Sequence, residues 1–253
     1  MKPTRPARFA VLALAAMPLA FGLAACGKKN DAAAVAEAPL PKVGAPAGKQ
    51  WADVITATPD GGYLMGNPDA PLKLVEYGAL SCSHCAAFAA EGFPHLRDDY
   101  VNSGRVSYEL RFFMLNPLDV PSVLLATCGN APETVIPMAE QFWGWQATMF
   151  SNLKAAGDGA MQQVQTLPAN QRPAVIARIT GMNDFFAQRG IATSQGAQCL
   201  GDIAKATALA SGTDKATKEF NVTGTPAFIL NGRNLDIAEW SALEPILQKA
   251  GAR

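Results

Sequence analysis

Histidine is scarce in this chain: His84 and His95 are the only two in 253 residues. Cysteine is sparse too, with five in all, and only Cys82 and Cys85 stand at CxxC spacing. A structural zinc site takes four thiolate or imidazole ligands. With no second CxxC, and with Cys128 and Cys199 isolated, a metal site is not expected. A basic surplus is also missing, since Lys and Arg number 21 against 21 Asp and Glu. No basic stripe is visible, so nucleic acid is set aside as a partner. Beyond residue 25 no apolar run approaches the ~20 residues that span a bilayer. No internal repeat is apparent.

The one long apolar run, residues 9–23, contains Pro18 and follows Lys2, Arg5 and Arg8. That is the layout of a secretory signal. It ends in Leu23-Ala24-Ala25-Cys26, which resembles the lipobox of bacterial lipoproteins and implies cleavage before Cys26 and acylation of that cysteine. The alternative is an uncleaved signal anchor, for which the run is short. Residues 1–25 are thus expected to be a lipoprotein signal peptide. Removing its three bases leaves 18 against 21 acids, a net charge of −3. Residues 26–50, rich in Ala, Pro, Gly and Lys without apolar period, are expected to form a flexible tether. Residues 51–253 are expected to be one globular domain, and a hydrophobic fraction of 49% suits a well-cored body.

An exported protein resides where disulfides persist. With Cys26 acylated, Cys82, Cys85, Cys128 and Cys199 remain, an even number that suits two disulfides. Cys128 and Cys199 lie in helix-like segments near the two ends of a strand-poor stretch. They are expected to form a structural disulfide, the alternative being two buried free thiols.

Periodicity places the elements. Apolar residues on both faces make residues 72–77 a buried strand, preceded by a short apolar piece at 63–65. Residues 82–100 suit a helix, kinked by Pro94. Val106, Tyr108, Leu110 and Phe112 alternate with Ser107, Glu109 and Arg111, as in a half-buried strand. Helical patterns fill the stretch from about 117 to 220. Strand signal returns at 227–230, and Asn231-Gly232 turns it back through 233–235. A last helix is expected over about 241–249, with Ser241 and Glu244 at capping-box spacing.

The chemistry concentrates in EYGALSCSHCAAF, residues 76–88. A strand runs into a short linker, and CSHC opens a helix. Free N–H groups and the dipole at a helix N-terminus favour an anion, so the Cys82 thiolate is stabilised. His84, when protonated, adds positive charge, and Cys85 one turn on can close a disulfide with Cys82. An attacking thiolate beside a resolving thiol is what disulfide exchange needs. An inert CxxC staple is the bland alternative.

Three segments then carry a family likeness: GNPDAPLKLVEYGALSCSHC, the helical block, and Val222-Thr223-Gly224-Thr225-Pro226-Ala227-Phe228. Together they resemble a DsbA-like thiol:disulfide oxidoreductase. The resemblance implies an α/β thioredoxin fold, with a helical insertion at about 117–205 between the two halves of the sheet. It implies that Cys82 attacks, Cys85 resolves, and Pro226 is a cis-proline facing them. The backbone of Thr225 would pair with a bound peptide, and Glu76 would be a buried acid moving protons to and from Cys85. A strand-end glutamate reaching water is the alternative for Glu76. No cofactor is implied. Substrates would be unfolded or thiol-bearing exported proteins, with a quinone-linked membrane protein as redox partner. The place would be the periplasmic side of the cell envelope, with the membrane touched through the lipid alone. The stretch between Cys26 and the first strand is too short for a dimerisation domain, so a monomer is expected. Ser83 and Thr225 depart from the best-known DsbA pattern and leave the direction of exchange open. A dithiol oxidase is favoured, with His84 supplying the charge that makes the pair oxidising. The alternatives are a lipid-anchored reductase or isomerase, or a non-catalytic binding lipoprotein.

Overall fold

A computed structural model describes residues 38–129 and 131–253 of the chain. The expected signal peptide and Cys26 lie outside the described residues. The chain forms β1 (Ile55–Ala57), β2 (Tyr63–Gly66), β3 (Leu72–Gly78) and α1 (Ser83–Glu91). After α2 (Phe93–His95) and a π-helical turn comes β4 (Val106–Phe112). The helical block follows as α3 (Asp119–Ala126), α4 (Pro132–Ala155), α5 (Ala160–Thr166), α6 (Arg172–Ile179), α7 (Met182–Ala187), α8 (Thr193–Leu200) and α9 (Ile203–Phe220). The chain closes with β5 (Ala227–Leu230), β6 (Arg233–Asn234) and α10 (Trp240–Leu247).

The strands form one sheet in the order β1-β2-β4-β3-β5-β6. β3 and β4 are parallel and pair Leu74 with Tyr108 and Glu76 with Leu110. β5 runs antiparallel to β3 and sets Phe228 opposite Glu76. Leu72, Leu74 and Glu76 of β3, with Val106, Tyr108 and Leu110 of β4, are all buried. Side chains two apart on a strand share a face, so Glu76 sits within an apolar layer.

The first helix kinks as Pro94 requires, since proline has no N–H for the ladder. The elbow at Gly92 is closed by α10: a Cβ there would stand 2.6 Å from the Trp240 Cβ. The polar side of β4 departs from the half-exposed expectation, because α9 packs over it. Ser107 and Glu109 are buried, and Glu109 Oε1 accepts a 2.8 Å bond from Arg111 Nε. Asp60 then bridges Arg111 to Lys215 of α9. β1 had no expectation at all; three residues are too few to show a period of two. The capping box at Ser241 is absent. Glu239 is the N-cap residue, and Glu244 instead accepts a 2.8 Å bond from the Tyr100 hydroxyl.

Within the stretch expected as a flexible tether, residues 40–43 are docked on the domain. The Leu40 N–H donates to Gly251 O at 2.9 Å, and the Val43 N–H donates to Ser103 O at 3.0 Å. Arg105 Nε and Trp51 Nε1 donate in turn to the carbonyls of Leu40 and Val43. Composition concealed this docking because residues 40 and 43 make its hydrogen bonds through main-chain groups, and these leave no apolar period.

Cys128 and Cys199 are joined by a disulfide that ties the end of α3 to α8 across 71 residues of chain. Closing a loop of that size removes denatured-state entropy worth about 4 kcal/mol. Cys128→Ala/Cys199→Ala should therefore lose up to about 4 kcal/mol in urea unfolding without reductant. A loss under about 1 kcal/mol would show that packing alone holds the block together.

Candidate active site

β3 delivers the chain to a short linker, residues 79–82, that the helical block grips from two sides. Trp143 Nε1 donates to Ala79 O at 3.0 Å. Gln146 Nε2 donates to Leu80 O at 2.8 Å and to Cys82 O at 3.0 Å. On the other side the Asp119 carboxylate accepts from the Ser81 N–H at 2.8 Å and from the Ser81 hydroxyl at 3.0 Å. The Ser81 N–H and hydroxyl and the carbonyls of Ala79, Leu80 and Cys82 thus find partners, as burial demands.

The linker leaves Cys82 in extended conformation as the N-cap residue of α1. Its residue is 6% exposed, while Cys85, one turn in, is 0% exposed. The two thiols are unbridged. Cys82 is lowered to about 5, first by the hydrogen bond from the Cys85 thiol. The Thr225 side chain and the backbone N–H groups of Cys85 and His84 add to this, against burial. Cys85 is pushed well above the ordinary thiol range, chiefly by burial, then by its bond to Cys82 and the charges of Glu76 and Cys82. One proton thus sits on the inner sulfur and a charge on the outer one.

The Thr225–Pro226 peptide is cis, in the loop ahead of β5. In its thiol form Cys82 Sγ donates to Thr225 O at 3.1 Å. The Thr225 hydroxyl is buried with no hydrogen-bond partner, and it is among the groups that favour the Cys82 thiolate. A groove of about 290 Å³ runs along this loop. A second, of about 230 Å³, lies between His84 and Phe88 of α1 and Trp240 of α10. Glu76 lies beneath, 0% exposed, and burial raises it to about 8 against the bond from Tyr108. Its Oε2 accepts that bond from the Tyr108 hydroxyl at 2.7 Å.

Cys82, Cys85, Glu76, Thr225 and Pro226 thus come together at one end of the sheet. Cys128 and Cys199 lie apart from them. The His84 side chain is exposed, and its backbone N–H is among the groups that lower Cys82. A solvent-facing ring is screened, whereas an N–H in the first helical turn points at the sulfur. Asp119, Trp143, Gln146 and Tyr108 had not been anticipated. Gln146 carried a signal, as an amide three residues after Trp143 and three before Met149 on a buried stripe. Among the described residues no group of three or more His, Cys, Asp or Glu is placed to hold a metal ion.

A family model described as Thioredoxin matches residues 58–249. The chain belongs to the thioredoxin family. A crystal structure titled protein-disulfide isomerase, from Novosphingobium aromaticivorans, is 33% identical with a TM-score of 0.71, over 76% of this chain and 98% of that one. Wolbachia pipientis alpha-DsbA1 shares the fold at 18% identity and a TM-score of 0.56, over 74% of this chain and 89% of that one. The thioredoxin sheet with a helical block between its halves is thus the DsbA-like form of the fold. A Rickettsia bellii protein named "Putative protein-disulfide oxidoreductase" is 22% identical over 187 residues, 74% of this chain. The match spans 63% of that protein's length, and 55% of a Rickettsia prowazekii relative.

This thioredoxin-family site makes a sharp prediction for His84. His84→Pro deletes a backbone donor at a helix position that tolerates proline, so the Cys82 titration should rise. His84→Ala keeps the N–H and should leave it near 5. Thiolate absorbance against pH reads both variants; an equal rise in the two would return the effect to the ring.

Proposed function

We propose that this protein catalyses thiol:disulfide exchange on exported proteins, with Cys82 as the attacking and Cys85 as the resolving thiol. One observation carries the reading: the two thiols stand one turn apart at the start of α1, and the cis Thr225–Pro226 peptide lies against the outer one. In the oxidative direction a substrate thiolate attacks Cys82 in the 82–85 disulfide and releases Cys85, which takes a proton. A second substrate thiolate then attacks the mixed disulfide, and Cys82 leaves as a thiolate. The substrate dithiol is oxidised and the enzyme pair reduced. A low Cys82 titration makes that sulfur the better leaving group. Thr225 O, beside Cys82, can pair with the backbone of a bound peptide as an added strand.

In this reading Cys82→Ser abolishes exchange. Cys85→Ser traps substrates as mixed disulfides on Cys82, visible as reductant-sensitive adducts by mass spectrometry. Adducts on Cys85 in the converse variant would reverse the roles.

We read Cys26 as lipidated and the protein as facing the periplasm, where substrates are thiol-bearing exported chains and a quinone-linked membrane protein reoxidises the pair. The signal-like residues 1–25 and the Cys128–Cys199 bridge, which suits an oxidising compartment, support this. We take the acting form to be a monomer.

An oxidase is the favoured direction. Whatever stabilises the Cys82 thiolate stabilises the reduced protein and makes its disulfide more oxidising. Thioredoxin and DsbA, with thiolates near 7 and 3.5, have potentials of about −270 and −120 mV. A Cys82 near 5 falls between them, so the pair is expected to be more oxidising than thioredoxin and less so than DsbA. That intermediate place and the name of the Novosphingobium relative favour isomerisation as the second reading. Equilibration of the 82–85 pair with glutathione tests this, and a potential near −270 mV would leave a reductase.

A further inference from the structure

Tyr108 brings a hydroxyl into the apolar layer of the sheet. It is 1% exposed, and that hydroxyl goes to Glu76 Oε2 at 2.7 Å. Its ring also packs edge-on against Phe93, with centroids 5.1 Å apart. The other Glu76 oxygen, Oε1, is buried with no hydrogen-bond partner. A buried polar atom without a partner is costly and marks a group kept free for something else.

The surroundings of Oε1 show what that is. Oε1 lies against Gly78, where an added Cβ would stand 3.1 Å from it. The charge of Glu76 acts on the Cys85 thiol, and so does the backbone of Ala79, next to Gly78 in the chain. The titratable groups around the carboxyl are few. Cys82 and Cys85 face it from α1 and Tyr108 from β4, while Glu140 of α4 acts on it at one remove through Tyr108. β5 offers Phe228, which does not titrate.

We propose that Tyr108 is a positioning residue: by occupying Oε2 it turns Oε1 toward Cys85 and makes Oε1 the atom that exchanges a proton with that sulfur. The proposal rests on the thiol-exchange reading. When the 82–85 disulfide opens, the Cys85 thiolate takes the proton from Oε1. An S–H bond forms, an O–H bond breaks, and the carboxylate left behind is held by the Tyr108 hydroxyl. On reoxidation the proton returns to Oε1 as Cys85 attacks.

The test compares the full-length reduced protein with Tyr108→Phe, which keeps the ring packed on Phe93. The Glu76 carboxyl carbon is titrated by ¹³C NMR. The release of a peptide thiol from its mixed disulfide with Cys82, the step that Cys85 performs, is timed against pH. Loss of a donor to the ionised form raises a carboxyl titration. The Glu76 midpoint should rise from about 8 by about one pH unit, a tenfold change, and the release profile should move with it. Tyr108→3-fluorotyrosine, a stronger donor of similar size, should move both down. In a Glu76→Gln background Tyr108→Phe should leave the release rate unchanged. Unmoved midpoints, or an equal loss of rate with and without Glu76, overturn the proposal. Wild-type protein that shows no Cys85-dependent release overturns the thiol-exchange reading itself.

Discussion

The placement of the two thiols, one at the open end of α1 and one a turn deeper, organises this molecule. Cys82 is eased toward charge, while burial holds Cys85 from it. That division holds only if Cys82 stays at the open end of α1, where N–H groups point at it, and Cys85 stays one turn deeper, where water is excluded. A shift of one residue along the helix would bury the wrong sulfur. The site therefore depends on where the helix begins, and the helix begins where the preceding linker is held extended.

Holding that linker is the work of the helical block. Trp143 and Gln146 of α4 take carbonyls along residues 79–82, while Asp119 at the start of α3 takes the N–H and hydroxyl of Ser81. The block thus supplies the donors and acceptors that a short linker in an apolar setting cannot find within itself. The Cys128–Cys199 bridge joins the far end of α3 to α8, so the anchor for Ser81 belongs to a cross-linked body. The cis-proline loop completes the frame from the sheet side, with Thr225 O at Cys82.

Much of this was legible in residues 76–88 and 222–228, because local rules govern them. A strand, a linker and a helix-opening CxxC locate the thiols, and the Thr-Pro before a strand locates the loop. The period of two in residues 106–112 gives β4 its apolar face. What stayed hidden was long-range and polar. Nothing near Asp119 in sequence points to Ser81, 38 residues earlier, and the partners of Gln146 lie more than 60 residues away. The exposure of the His84 ring was likewise out of reach, because sequence shows a charge but not its surroundings. The docking of residues 40–43 was missed because main-chain groups make it.

The two buried acids near the thiols show how environment assigns roles. Both Glu76 and Asp119 are 0% exposed, and burial raises both carboxyls. Asp119 accepts four hydrogen bonds, from the N–H groups of Ser81, Leu115 and Asn116 and from the Ser81 hydroxyl. A carboxylate so fully donated to gains little by taking up a proton, so it serves as a fixed anchor. Glu76 receives one bond and keeps an oxygen bare, so its charged form is poorly supported and its proton can leave or return with small change around it. Exchanging the two environments would leave a linker held by a neutral acid and a resolving thiol facing a permanent charge. The first would let the N-cap residue drift, and the second would hold Cys85 protonated at the step where the proposed reaction has it attack. Each acid suits its task through the number of donors it is given.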